Sequence, residues 1–247
     1  MKQGFTASYF TLAIIKLACI YPVMMEAAPI SGYKGSWRNP CNEATPSFEP
    51  YNTTNENKAH VLQVVLIQLE EAKIVADNLK HEYRTHRVAN QVSDGPCVSG
   101  FEDNLDNVYR HVDGFPDLSQ YFVQRNTIAI CDNISATFLD DYRTLVQVMI
   151  FLEETIEEEY TQNNRIYEHQ LLELHGSIKG IMCNFHFVEQ RCGLEEQHLN
   201  ATEMIDQYKA SPVSERDYLL IRDIAVLVRA LHARYNTCNI LLSRGST

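Results

Sequence analysis

The chain has 247 residues, 45% of them hydrophobic, enough for one large domain or two small ones around a real core, which excludes disorder as the default. Thirty-two acidic residues against 21 basic ones give a formal net charge of −11. That balance argues against non-specific attraction to nucleic acid or an anionic membrane and favours a protein partner.

The first 28 residues carry Lys2 and Lys16 around two apolar stretches, Tyr9–Ile15 and Leu17–Met25, and end just before Pro29. This is the pattern of a secretory signal peptide, with cleavage expected between Ala18 and Ala28. Neither stretch reaches the roughly 20 residues that span a bilayer, so no membrane insertion is expected. Of seven cysteines, Cys19 falls inside this segment, leaving Cys41, Cys97, Cys131, Cys183, Cys192 and Cys238. An even number in an exported chain implies disulfides, with the connectivity open and no C-x-x-C spacing to suggest zinc. Sequons at Asn52, Asn133 and Asn200 agree with export and with N-glycosylation.

Residues 29–55 are rich in Pro, Gly, Asn and Thr and predict an irregular N-terminal segment ahead of a helical domain over 56–247. A first helix, A, follows, with Leu62, Val65, Leu69, Ala72, Ala76, Leu79 and Tyr83 spaced by three and four. The next stretch, Ala89–Ile130, contains "SDGPC" and "DGFPD" and predicts a long connection with at most a short helix over Phe101–Val112. Helix B is predicted over Ser135–Tyr160 and is broken by "TQNNR"; helix C covers Ile166–Glu189. A second long connection, Arg191–Val213, leads to helix D over Glu215–Leu241, with Ser214 and Asp217 placed as a capping box. Long, short and long connections predict an all-α, up-up-down-down four-helix bundle with two crossover loops.

Enzymatic signatures are absent: no H-E-x-x-H, G-x-S-x-G, G-x-G-x-x-G or EF-hand loop occurs. A di-iron bundle needs two Glu-x-x-His pairs. Only "EEQH", Glu195–His198, has that spacing, and it falls in a connection. The acidic run "EETIEEE", Glu153–Glu159, predicts a solvated helix face, and His175, His186 and His232 predict helix-surface positions. No catalysis, metal or cofactor is expected.

A seven-residue frame on each helix shows what remains for a partner. Helix A turns Ile67, Ile74 and His81 outward, with Gln63, Val64, Glu70 and Asp77 beside them; exposed isoleucines need covering by a loop or a partner. Helix C turns out His169, Gly176, Cys183 and Gln190, with Gly180 adjacent. Helical glycines cost about 0.5–1 kcal/mol each relative to alanine, so two on one face suggest that another segment approaches closely. If that segment is the N-terminal one, outward Cys183 is a natural partner for Cys41. In helix D, Arg222 and Arg229 fall seven apart on the outermost stripe, with Asp223 and His232 on the solvent-reached flanks. The end of A, the B–C turn and the start of D form an end bare of cysteines and sequons.

The four-helix layout, "DDYRTLVQVMIFLEE" in helix B and "RDYLLIRDIAVLVRAL" in helix D resemble the long-chain class I helical cytokines of the interleukin-6 family. The nearest branch is that of ciliary neurotrophic factor, leukemia inhibitory factor and cardiotrophin. The resemblance spans about Glu56–Leu242 and implies a secreted, monomeric ligand that joins class I cytokine receptors and starts JAK–STAT signalling. It implies that Gln63, Ile67, Glu70, Ile74, Asp77, His169, Glu173 and Lys179 meet the family's shared signal-transducing receptor. That branch opens helix D with a Phe-x-x-Lys pair for a second receptor; this chain has "VSERDYLLIRD" instead, leaving Tyr218 and Arg222 as substitutes. Two other readings share the bundle: another helical hormone or interferon-like ligand, and a carrier of lipids or small molecules, against which packed Leu and Ile layers count.

Overall fold

The computed structural model describes residues 34–41, 55–85, 111–118, 121, 130–131, 133–162, 165–192 and 200–244; of 55–61, 135, 186–192, 214 and 244 it describes the backbone alone. By compactness the chain divides into Met1–Lys34 and Gly35–Thr247. The expected signal peptide, Cys97, Asn52 and residues 101–110 of the expected short helix lie outside the described residues, and His111 and Val112 at the end of that helix are not helical. Among those described the fold is all-helical, without strands. The helices are α1 (Asn55–Tyr83), α2 (Ile134–Gln162), α3 (Glu168–Cys192), α4 (Ala201–Lys209) and α5 (Val213–Arg244), and a 3-10 turn spans Ser36–Arg38.

The spacing of threes and fours explains α1 completely: Leu62, Val65, Leu69, Ala72, Ala76, Leu79 and Tyr83 are each fully buried. On α3 and α5 the core is likewise Leu171, Leu174, Ile178, Ile181 and Phe185, and Leu220, Ile224, Leu227, Leu231 and Tyr235. Between them Phe138, Phe185 and Tyr235 stack, with ring centroids 4.7 Å, 5.0 Å and 5.6 Å apart. Such aromatic pairs add to the burial of area, and truncating one of these rings would cost about 3–5 kcal/mol.

Contacts along the helices fix their sense. Gln170 Nε2 donates to Glu82 Oε2 (3.1 Å), whereas Asn184 Nδ2 donates to Gln68 Oε1 (2.7 Å), so α1 and α3 are antiparallel. Tyr83 reaches Asp217 (3.0 Å) while Glu70 reaches His232 (3.3 Å), so α1 is antiparallel to α5 as well. Helix α2 runs against α3, with Glu159 at Tyr167 and Phe138 at Phe185, and against α5, with Glu158 at Arg216 and Asp141 at Arg234.

Helix α2 is buried on nearly every side, and its own sequence does not advertise why. Its outer side is covered by the segment 111–118, where Val112, Phe115 and Leu118 are buried, and by α4, whose Tyr208 packs on Phe151 (5.0 Å). Helix α4 lies in the stretch predicted to be an unstructured connection. It escapes periodicity because only Tyr208 of its nine residues is buried. The predicted cap of the last helix also differs: α5 begins at Val213, one residue before Ser214, and Asp217 turns its carboxylate into the interior.

Two disulfides, Cys41–Cys183 and Cys131–Cys238, join residues 142 and 107 apart in sequence. The first is the pairing expected from the outward position of Cys183. It ties down residues 35–41, the strap, against α3.

Candidate protein-binding surface

The predicted contact residues divide into those that solvent reaches and those it does not. Ile67 and Ile74 are 60% and 52% exposed, large for isoleucine, and Gln63 beside them is exposed. Glu70 and Asp77 are half-buried and already engaged. Glu70 accepts from Lys73 (2.5 Å), whose ammonium holds its carboxyl below the usual range, and Asp77 takes the Arg229 guanidinium. On α3, His169 and Glu173 are exposed and Lys179 is half-buried. Gly176 is exposed with nothing within 4 Å of a Cβ built there among the described residues. Gly180 is the closely approached glycine, but the segment that approaches is α1: a Cβ there would stand 3.0 Å from Gln68 Nε2.

Tyr218 and Arg222, expected at an open end of the last helix, are 1% and 6% exposed. A seven-residue frame supposes a helix with one covered side, but α5 is buried from Arg216 through Ala225. Asp223, expected on a wet flank, is buried between Arg222 (2.6 Å) and His111 (3.0 Å), where burial pushes its carboxyl up. Neither Tyr218 nor Arg222 can meet a partner in this conformation.

The acidic run of α2, expected as a solvated face, is likewise mostly buried. Glu153, Glu154, Glu158 and Glu159 are all buried, and each accepts from a defined group. Glu153 takes the backbone N–H of Gly35 (2.5 Å) and Ser36 (3.0 Å) and the Ser36 hydroxyl (2.7 Å). Glu154 takes Lys209 (2.5 Å), Glu158 takes Arg216, and Glu159 takes the Tyr167 N–H (2.8 Å). Apart from the Tyr167 N–H, eight residues on, those donors lie far along the chain, so the run reads as solvated until the strap, α4 and α5 are folded onto it. Buried carboxyl groups are tolerated because each is hydrogen-bonded, and two of the four also meet a cation. His175, expected on the surface, is also buried, with Nε2 2.9 Å from Ser36 Oγ.

Ser36, His175 and Glu153 have the residue types of a nucleophile, base and orienting acid, but not the geometry. Glu153 lies 3.5 Å from the same Nε2 that faces the serine, and it also binds the serine hydroxyl itself. An orienting carboxylate belongs on the other ring nitrogen. With all three buried, the cluster anchors the strap. Among the described residues no group of three His, Cys, Asp or Glu side chains could hold a metal ion, and no helix is long and apolar enough to cross a membrane.

A second buried cluster joins four helices. Asp217 accepts from Tyr83 (3.0 Å, α1), Tyr208 (3.1 Å, α4) and Arg216 (3.0 Å), and Arg216 continues to Glu158 of α2. Its guanidinium also sits 4.2 Å over the Tyr208 ring. Burial pushes the Asp217 carboxyl up to about 6 against the pull of Arg216. At the other end of the bundle Asp141 accepts from Tyr121 (2.9 Å), Arg234 (2.8 Å) and Tyr235, and burial raises its carboxyl too. The Asp217 cluster is buried, the Asp141 cluster partly so, and both tie helices together.

Of the remaining sequence-predicted positions, Asn133 is exposed at the start of α2, and Asn200 is exposed and caps α4, its Oδ1 accepting from the Glu203 N–H (3.4 Å). Cys192 ends α3. Sequence reasoning missed the strap's Trp37, which is half-buried beside exposed Arg38, with the guanidinium 4.7 Å over the indole. A lone tryptophan in a Pro/Gly-rich stretch is the one signal that could have pointed to it. Comparison of the chain with protein-family models, curated proteins and solved structures finds no match.

Proposed function

We propose that this chain is a secreted helical cytokine of the interleukin-6 family, near the ciliary neurotrophic factor, leukemia inhibitory factor and cardiotrophin branch. It joins class I cytokine receptors, among them the shared signal-transducing receptor, and triggers JAK–STAT signalling without chemistry of its own. The observation that carries this reading is the sense of the helices. Helices α1 and α2 each run antiparallel to both α3 and α5. Those senses support an up-up-down-down bundle, in which residues 84–133 connect α1 to α2 and residues 193–212 connect α3 to α5. Two disulfides fit an oxidising compartment outside the cell.

On this reading the receptor face is the outer side of α1 and α3, where Gln63, Ile67, Ile74, His169 and Glu173 remain open to a partner. Glu70, Asp77 and Lys179 edge that face. Exposed isoleucines inside a polar surround are what a partner's apolar core residues would cover. The test is to add the purified protein to cells that each express one combination of family receptors and to measure STAT phosphorylation. A response in at least one combination is expected; silence in all of them would refute the proposal.

A further inference from the structure

We infer that the strap, through Trp37 and Arg38, is a second part of that receptor face, built to receive a partner segment that presents carboxylates beside an apolar pocket. This rests on the cytokine reading and extends it to residues that the reading does not supply.

The strap is fixed at both ends. Its start is held by Glu153, which accepts from Gly35 and Ser36, and by the Ser36–His175 contact; its end is held by the Cys41–Cys183 disulfide. His175 and Cys183 are two helical turns apart on α3, so the strap runs along that helix over a rise of about 12 Å, passing Lys179 between its anchors. Between the anchors Ser36 and Pro40 are buried, while Trp37 is half-buried and Arg38 exposed. Arg38 makes no ion pair among the described residues; its described contact is the indole. A tryptophan and an arginine on a pinned backbone lose little freedom on binding and have the composition of interface hot spots.

Position links them to the α1/α3 face. Helix α3 meets α1 along one edge, at Gly180 and Asn184, and meets the strap along the other, at His175 and Cys183. The exposed residues His169, Glu173 and Gly176 lie between these edges. The uncovered glycine keeps the floor of that stripe low, with α1 and its exposed Ile67 and Ile74 on one side and the strap that carries Trp37 on the other. At the strap the exposed charge is Arg38, positive on a chain of net charge −11. Carboxylates on the partner are the complement.

The test uses the full secreted chain, receptor ectodomains on a biosensor, and the variants Trp37→Ala, Arg38→Glu and Ile67→Asp. An ectodomain that binds the wild-type protein should bind Trp37→Ala at least about tenfold more weakly. Arg38→Glu should associate more slowly and lose salt dependence, and Arg38→Lys should recover most of the rate. Melting temperatures should be unchanged for the exposed Arg38 variants, which keeps the test decisive if Trp37→Ala folds poorly. If Arg38→Glu and a folded Trp37→Ala bind as wild type while Ile67→Asp is weakened, the strap proposal falls and the cytokine reading stands. If no ectodomain binds the wild-type chain, both fall.

Discussion

Asp217 gives the sharpest quantitative prediction, because one buried carboxyl joins α1, α4 and α5 and its titration is displaced. Unfolded, an aspartate titrates near 3.9. Folded, this one titrates at about 6 because burial disfavours its charged form. Between those values the folded chain holds a proton that the unfolded chain has released, so stability falls as pH rises through the window. The contribution is fully present below about pH 4 and lost above the folded value, for a total of about 3 kcal/mol, of which about 2 kcal/mol lies between pH 4.5 and 7.5. Asp141 and Asp223 are displaced in the same direction and add to the trend. In Asp217→Asn the Oδ1 can still accept from Arg216 and Tyr208, and the amide can donate to the Tyr83 hydroxyl, but no proton is taken up. Urea unfolding of both proteins at pH 4.5 and 7.5 should show the wild-type stability difference favouring acid by about 2 kcal/mol more than the variant's. Equal pH profiles for the two proteins would refute the assignment.

Ile67→Asp with Ile74→Asp should leave helicity and melting nearly unchanged, because both side chains are more than half exposed, yet weaken receptor binding at least about tenfold on the biosensor. Glu153→Ala should release the strap by leaving the Gly35 and Ser36 N–H groups without their acceptor, a cost of about 1–3 kcal/mol. Amide exchange at 35–38 should accelerate while that of α1 does not; unchanged exchange there would contradict the anchoring. Non-reducing digestion and mass spectrometry should recover the Cys41–Cys183 and Cys131–Cys238 peptides and no free thiol in the secreted chain. Replacing the second pair by serine should lower stability by up to about 4–5 kcal/mol, given the length of the loop it closes.

How much of this was legible in the sequence depended on the distance over which its information acts. The α1 core was readable residue by residue because burial there follows one helix period. Helices α2, α3 and α5 were placed for the same reason, within two or three residues at each end. The fate of charges was not readable. Glu158 looks the same in sequence whether it faces water or Arg216, which lies 58 residues away, and the same holds for Glu153 and the strap. Tyr218 and Arg222 were misplaced because a helical frame shows which side faces the core but not what covers the other side. Helix α4 was missed because one buried tyrosine makes no pattern. The outward isoleucines of α1 were legible because nothing among the described residues folds over them.

The two disulfides have a joint effect that neither has alone. Their spans, Cys41 to Cys183 and Cys131 to Cys238, interleave, so every peptide bond between Cys41 and Cys238 lies inside at least one closed loop. A protease that nicks the chain once anywhere in that stretch, the connections between helices included, leaves two pieces still covalently joined. On a gel such a molecule would migrate near its intact mass until a reductant is added. It would keep its helices together after a cut that would separate the halves of an uncrosslinked bundle.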